Sequence, residues 1–210
     1  TDHSKSSFQA NGLQASRLER QIEDIEQINR ELSLENTSFQ LLTGTEVDVM
    51  SDGSLDFEDS LLAKLDVVVA SIHQGFTQSR NQLTNRLIKA AENPSVHMLG
   101  HMSGRLLLQR EPYAIDHQSV IDACARTGTW IELNASPYRL DMDWRWWRYA
   151  KEKGVKCVIN CDAHHLDHAG FLRLGAEHAR KGWLEKRDII NTLPLDDLKV
   201  ELAKKRKSIS

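Results

Sequence analysis

The stretch 155–165 places a polar run directly after a short apolar segment. Residues 155–159 are mostly apolar or β-branched, which predicts a short buried strand. Asp162 and His164 follow at the predicted carboxyl end, where catalytic side chains gather in parallel α/β folds. In extended chain, their spacing of two puts both side chains on one side. Asp162 and His164 are therefore candidate metal ligands. The alternative is that Asp162 caps a helix and His164 is a surface residue.

Other predicted strands repeat this arrangement. We predict strands near residues 39–48, 66–72, 96–100, 129–133 and 155–160. His73 and His101 follow two of them, and Glu46 and Asp48 share one face of the first. Helical patterns of 10 to 15 residues lie between the strands. This order predicts a parallel α/β, barrel-like fold with helices outside and polar residues at one rim.

Several helices carry start signals in the sequence. Ser16 and Glu19 have the spacing of a capping box, and an apolar stripe from Leu18 to Leu32 follows. Asp116 and Asp141 are predicted caps of two later helices. Residues 169–181 and 194–207 also look helical.

Composition is that of an ordinary globular chain. The 210 residues are 40% hydrophobic and 27% charged, so we expect one domain spanning residues 1–210. A net charge of −3 excludes a global basic field for nucleic acid but leaves room for a local groove. Three cysteines without a CxxC spacing predict reduced thiols in a cytoplasmic protein. No apolar run is long enough to span a membrane.

Six imidazole or carboxylate residues lie at predicted strand ends. They are His3, Glu46, His73, His101, Asp162 and His164. Imidazole suits Zn, Mn or Fe, and a carboxylate can bridge two ions, so the set predicts a multinuclear hydrolytic site. The remaining histidines are predicted to be surface or packing residues; they are His97, His117, His165, His168 and His178.

The ordered motifs resemble those of the polymerase-and-histidinol-phosphatase (PHP) family. The motifs occupy residues 1–4, 44–48, 69–73, 99–101, 132–134 and 160–164. The nearest likeness is the C-terminal PHP domain of bacterial family X DNA polymerases, since residues 103–105 (Ser-Gly-Arg) and 182–184 (Gly-Trp-Leu) also match. Together the motifs cover nearly the entire chain.

The resemblance implies a distorted (β/α)7, TIM-like barrel with up to three metal ions and phosphoesterase chemistry. The six strand-end residues match family ligands, with Glu46 in the bridging position. Asp162 and His164 are the candidate catalytic residues for moving the proton. Arg105 and Arg139 are candidate phosphate-binding residues, with ordinary surface arginines as the alternative.

The sequence also departs from the family pattern. A His-x-His strand precedes residues 1–4 in the family and is not in this sequence, so we expect a fragment lacking the first strand and helix. The fragment would then lack at least two ligands, show little activity and expose a sheet edge to which a second copy could bind. Met102 and Cys161 also differ from the usual residues near the site.

Three functions remain open from the sequence. The first is metal-dependent 3′–5′ trimming of DNA ends in repair, with a polymerase domain upstream in the parent protein. The second is a small-molecule phosphatase of the histidinol-phosphatase kind, which the same ligands would serve. The third is a truncated, inactive module.

Overall fold

Six parallel strands form one sheet in the computed structural model, which describes residues 1–35 and 37–207. The strands are β1 (Asp2–His3), β2 (Gly44–Asp48), β3 (Val67–Ser71), β4 (Met98–Leu99), β5 (Trp130–Asn134) and β6 (Cys157–Asn160). They are ordered β1-β2-β3-β4-β5-β6, so each strand pairs with its neighbour in sequence. The predicted parallel α/β class is confirmed. Within the described residues the sheet is not closed.

In the described part of the chain, five α-helices connect successive strands and two more follow β6. They are α1 (Ala15–Leu34), α2 (Asp59–Leu62), α3 (Arg80–Glu92), α4 (His117–Thr127), α5 (Trp144–Glu152), α6 (Phe171–Lys181) and α7 (Leu195–Lys207). The predicted strand near residues 39–48 is shorter than expected, because its pairing with β3 begins at Gly44, opposite Val67. None of the described helices combines the length and apolar character needed to cross a bilayer.

Two of the predicted helix starts are wrong. Ser16 lies inside the first turn of α1, which begins after Gln14 without a side-chain cap. Asp141 is fully buried and accepts a hydrogen bond from Ser103 Oγ at 2.8 Å, so it does not cap α5. The cap is Asp143, whose carboxylate accepts from the Arg145 backbone N–H. The predicted cap of α4, Asp116, is confirmed.

The apolar stripe of α1 is confirmed only in its first turns. Leu18 and Ile22 are buried in the core, whereas Ile28 is 41% exposed. The second half of the helix therefore contributes little core packing in this structure. The helix α1 connects β1 to β2 in the chain.

The two faces of the sheet differ in what covers them. On the face packed against the helices, side chains such as Val47, Ala70, Leu99 and Ile131 join the large hydrophobic core. On the other face, the amino-terminal part is apolar and packs against α7. This second cluster includes Val69, Met98, Trp130, Val158 and Leu202.

The second face becomes polar toward the carboxyl ends of its strands. Glu132 follows Trp130 by two residues and so lies on the same face, and Asn160 has the same relation to Val158. Gly100 is required here, since a Cβ at this position would lie 2.3 Å from Ser71 Oγ. The fold thus collects polar side chains at one rim, as the sequence predicted.

Candidate metal centre

Glu46 on β2 is surrounded by three histidines from neighbouring strands. Its Oε1 lies 3.3 Å from His73 Nε2 and 3.1 Å from His101 Nε2. Its Oε2 lies 3.6 Å from His3 Nδ1. The ring centroids of His3 and His73 are 5.0 Å apart, and those of His73 and His101 are 5.1 Å apart. The structure therefore brings four of the six predicted site residues together.

This cluster has the chemistry of a cation site. One ligand atom each from His3, Glu46 and His73 lies within 4.8 Å of the others. The Nδ1 atoms of His3 and His101 are buried without a hydrogen-bond partner. Buried polar atoms of this kind normally have partners, and imidazole and carboxylate together suit Zn, Mn or Fe. The residues present therefore fit a metal ion.

Asp162 and His164 lie beside the cluster, after β6. Asp162 Oδ2 accepts a hydrogen bond from Asn134 Nδ2 at 3.0 Å. His164 Nδ1 is 3.7 Å from Asp162 Oδ1, and the His164 ring centroid is 6.4 Å from that of His3. The His164 side chain is 64% exposed. His164 thus stands at the mouth of the site, whereas the Asp162 side chain, 16% exposed, is nearly as buried as that of Glu46 at 12%.

A cavity of about 550 Å³ opens above these side chains. We call it the histidine cavity, and its lining includes His3, Asp48, His73, His101, Arg139, Asp162 and His164. Its size falls in the range of small-ligand sites, roughly 300–1000 Å³. The cavity gives a substrate direct access to the cluster.

Asp48 belongs to the site although it was not among the predicted ligands. Its Oδ1 lies 2.5 Å from His73 Nδ1, and its carboxylate also accepts hydrogen bonds from Ser6 and Ser7. A carboxylate on the far nitrogen fixes the ring orientation of a ligating histidine. The sequence signal was its spacing of two from Glu46, which put both carboxylates on one face.

Glu132 is a second residue that sequence reasoning did not assign. It is buried, and its carboxylate accepts from the His101 backbone N–H at 2.7 Å and from Asn160 Nδ2 at 2.9 Å. Burial raises the pKa of Glu132 to about 7. Glu132 therefore holds the His101 backbone in place from below the cluster. Its only sequence signal was the family-like motif at residues 132–134.

The pKa values within the cluster reflect the close packing of carboxylates against imidazoles. Burial would raise the pKa of Glu46, but hydrogen bonds from His101 and His73 hold it well below its usual value. Burial would lower the pKa of His73, but Asp48 and Glu46 together raise it to about 9. Burial lowers the pKa of His3. Since metal ligands bind deprotonated, a cation here would displace protons from the histidines.

The two predicted phosphate-binding arginines lie in different surroundings. Arg139 lines the histidine cavity, where its Nε is 3.4 Å from Asp162 Oδ2 and its buried Nη1 has no hydrogen-bond partner. Arg105 donates instead to Asp143 and to the backbone carbonyls of residues 139 and 140. Arg105 therefore braces the loop that carries Arg139, and it is not among the residues lining the histidine cavity.

The other histidines mostly occupy packing positions. His97 accepts a hydrogen bond from the Val68 backbone N–H, and His117 stacks on Trp146. His178 is buried. His168 lies closer to the site than predicted, since its Nδ1 accepts from the His164 backbone N–H at 3.1 Å.

Sequence comparison places the chain among known proteins. It is 40% identical over 202 residues to a Bacillus subtilis protein named DNA polymerase/3'-5' exonuclease PolX, covering 96% of this chain. It is 28% identical over 180 residues to a probable phosphatase of Thermoanaerobacter, covering 71% of that protein. A probable phosphatase of Syntrophotalea carbinolica is 32% identical over 102 residues. No protein-family model matches the chain.

The chain resembles the PHP family in its motifs, and relatives named as an exonuclease and as probable phosphatases agree with that resemblance. The chain aligns with only 35% of the length of the Bacillus subtilis relative. Residues from five of the six motifs that carried the resemblance line the histidine cavity, and the open sheet is compatible with a barrel-like member of the family.

Proposed function

We propose that this chain hydrolyses phosphodiester bonds with the help of divalent metal ions, trimming DNA ends in the 3′–5′ direction. The observation that carries the proposal is the convergence of His3, His73 and His101 on Glu46, together with the open cavity that these three histidines line. Arg139 supports it by placing a guanidinium at the same cavity. Imidazoles, a central carboxylate and a cation are the groups that metal-assisted phosphoryl chemistry requires.

The proposed ligands are the six predicted residues, His3, Glu46, His73, His101, Asp162 and His164. They would hold up to three ions, with Zn, Mn and Fe as the metals that suit the donor set. A bound ion would supply Lewis acidity toward the phosphate and an acidified water.

The chain's own side chains account for positioning and charge. Asp48 orients His73 through the Nδ1 contact, and Glu132 holds the backbone of His101. Arg139 is proposed to bind a phosphate oxygen with the buried Nη1 that lacks a partner. Asp162 and His164, which line the cavity, are proposed to hold the proton that moves during hydrolysis.

A DNA substrate is favoured by the 40% identity to a protein named as a 3'-5' exonuclease. On this proposal the parent protein carries a polymerase domain upstream, residues 1–210 form a single domain, and the work is DNA repair in the cytoplasm. The relatives named as probable phosphatases favour a second candidate, a small-molecule phosphatase.

The proposal is tested with a 3′-recessed DNA duplex and a small phosphate monoester, each with Mn²⁺, with Zn²⁺ and with EDTA. We expect slow DNA trimming that requires the metal and disappears in Asp162→Ala. Asp167→Ala, an exposed aspartate on the same segment, is the matched control and keeps the activity.

Hydrolysis of the monoester alone would assign the small-molecule function instead. Activity on neither substrate, with no metal retained by elemental analysis, would identify an inactive module. DNA trimming at the same rate in EDTA would contradict the role of the metal.

A further inference from the structure

A second, smaller cavity opens from the side of the histidine cavity. We call it the side groove; its volume is about 330 Å³ and its walls include Leu106, Tyr138 and His168. It shares Arg139, Asp162 and His164 with the histidine cavity. A molecule whose phosphate lies at Arg139 therefore has the side groove next to it.

The aromatic residues of the side groove are held in place by local contacts. The Tyr138 carbonyl accepts from the Leu107 backbone N–H at 2.7 Å, and Arg105 Nε donates to the carbonyl of the next residue at 2.8 Å. The His168 ring stacks on Phe171 with centroids 4.8 Å apart. The Tyr138 side chain nevertheless stays 59% exposed. An exposed ring on a braced loop is suited to binding another flat ring.

We infer that the side groove binds the base of the nucleotide adjacent to the phosphate that reacts. This inference rests on the proposed function, because it takes the reacting group to be a nucleotide phosphodiester. Stacking on an aromatic side chain is the usual way in which proteins bind single-stranded bases without sequence preference. The groove is at the small end of the ligand-site range, so it has room for one nucleoside and not for several.

The location of the polar groups fits the same ligand. Arg139 stands where the two cavities meet, and its buried Nη1 has no hydrogen-bond partner. A phosphate at this junction would pair with the guanidinium, leaving the sugar to turn toward Leu106 and the base toward Tyr138. His168 Nδ1 accepts from the His164 backbone N–H, so the groove wall is joined to a residue of the metal centre.

The experiment measures binding, so it does not depend on catalytic turnover. The probes are two fluorescein-labelled single-stranded DNAs of equal length, with phosphorothioate linkages at the 3′ end to slow cleavage. One ends in a normal nucleotide and the other in an abasic sugar. Fluorescence anisotropy with Mn²⁺ gives the Kd of each probe for the unaltered chain and for Tyr138→Ala, Tyr138→Phe and Phe39→Ala.

We expect Tyr138→Ala to weaken binding of the normal probe by roughly 10-fold and to leave the abasic probe within about 2-fold. Tyr138→Phe keeps the ring and should keep the preference. Phe39 is also an exposed aromatic (61%), but it comes before the amino end of β2, whereas Tyr138 comes after the carboxyl end of β5, so Phe39→Ala should change neither Kd.

The inference is overturned if Tyr138→Ala weakens both probes equally, or if the unaltered chain binds both equally well. Thermal melting of each variant shows whether a loss reflects unfolding, and Tyr138→Phe then decides the role of the ring. Metal-dependent hydrolysis without a base preference would refute the side groove alone. A base preference without any hydrolysis would refute the proposed function alone.

Discussion

Two cavities share Leu106 and Arg110 of the loop 103–112, and both are lined by arginine and carboxylate side chains. The arginine cavity, of about 430 Å³, is lined by residues that include Arg105, Arg110, Asp143 and Arg145. Arg105 and Arg145 both pair with Asp143, at 2.7 and 2.8 Å. Arg110 donates to the Gly104 carbonyl. Hydrogen bonds from Arg145 help to hold the pKa of Asp143 below its usual value.

The histidine cavity differs in leaving buried polar atoms without partners. They are His3 Nδ1, His101 Nδ1 and Arg139 Nη1. Buried groups without partners cost free energy, so several of them around one cavity favour a ligand that satisfies them there. The comparison teaches that a concentration of charge does not identify a site. What distinguishes the histidine cavity is that buried polar atoms of its lining residues lack hydrogen-bond partners in the protein.

The largest effect is expected from Glu46, which contacts three of the histidines that line the histidine cavity. Glu46→Gln keeps the shape but removes the negative charge that three histidines surround. Hydrolysis should fall by more than the roughly 10–100-fold that losing an outer partner of a ligand costs, and retained metal should fall with it. Elemental analysis and DNA trimming measure the two losses. Glu23→Gln, on the exposed face of α1, is the control and should change neither. Full activity in Glu46→Gln would contradict the assignment of the histidine cavity as the functional one.

Arg139 should come next, because its Nη1 is a buried donor without a hydrogen-bond partner beside the cluster. Arg139→Ala should lower kcat by about 100-fold, the order expected for losing one preorganised electrostatic contact. Arg139→Lys keeps the charge without the planar fork and should recover only part of the rate. Steady-state kinetics measure kcat, and thermal melting should show little change in stability. A loss of stability without a loss of kcat would place Arg139 with Arg105 as a structural residue.

Asp48 tests whether an outer carboxylate tunes the cluster. The Asp48 carboxylate orients His73 and raises the pKa of His73. Asp48→Asn weakens this contact. We expect the metal affinity to fall roughly 10-fold, at the lower end of the range for such partners. Isothermal titration with Zn²⁺ or Mn²⁺ measures the change. Asp56→Asn is the matched control, since Asp56 accepts only from the Ser6 backbone N–H among the hydrogen bonds described.

Arg105 should give the smallest effect on chemistry and a clear effect on stability. Arg105→Ala removes an ion pair and two hydrogen bonds to backbone carbonyls, which should cost roughly 2–3 kcal/mol of unfolding free energy. Urea denaturation measures the loss. Arg173, which is 90% exposed, provides the control, since Arg173→Ala should cost at most about 0.5 kcal/mol. If Arg105→Ala were as stable as the unaltered chain, Arg105 would have no structural role, and the distinction drawn between the arginine cavity and the histidine cavity would be wrong.

Much of the fold was predictable because the strands repeat one local pattern. Short apolar runs separated by helical periods predicted the parallel sheet, and the residue after each run predicted the rim. His73 and His101 were found this way, and the structure places both against Glu46. Helix starts were less reliable. Asp141 and Asp143 are equally good caps in the sequence, and burial beside Ser103 decided between them.

The sequence by itself determined which residues reach the rim, because the carboxyl ends of parallel strands must meet at one edge of a sheet. Only the tertiary structure decided what each does there. Arg105 and Arg139 are alike in the sequence, but one finds a carboxylate and two carbonyls while the other keeps an unpaired donor in the cavity. Side-chain partners come from segments distant in the chain, so local sequence carries no record of which charges will be neutralised and which will remain for a ligand.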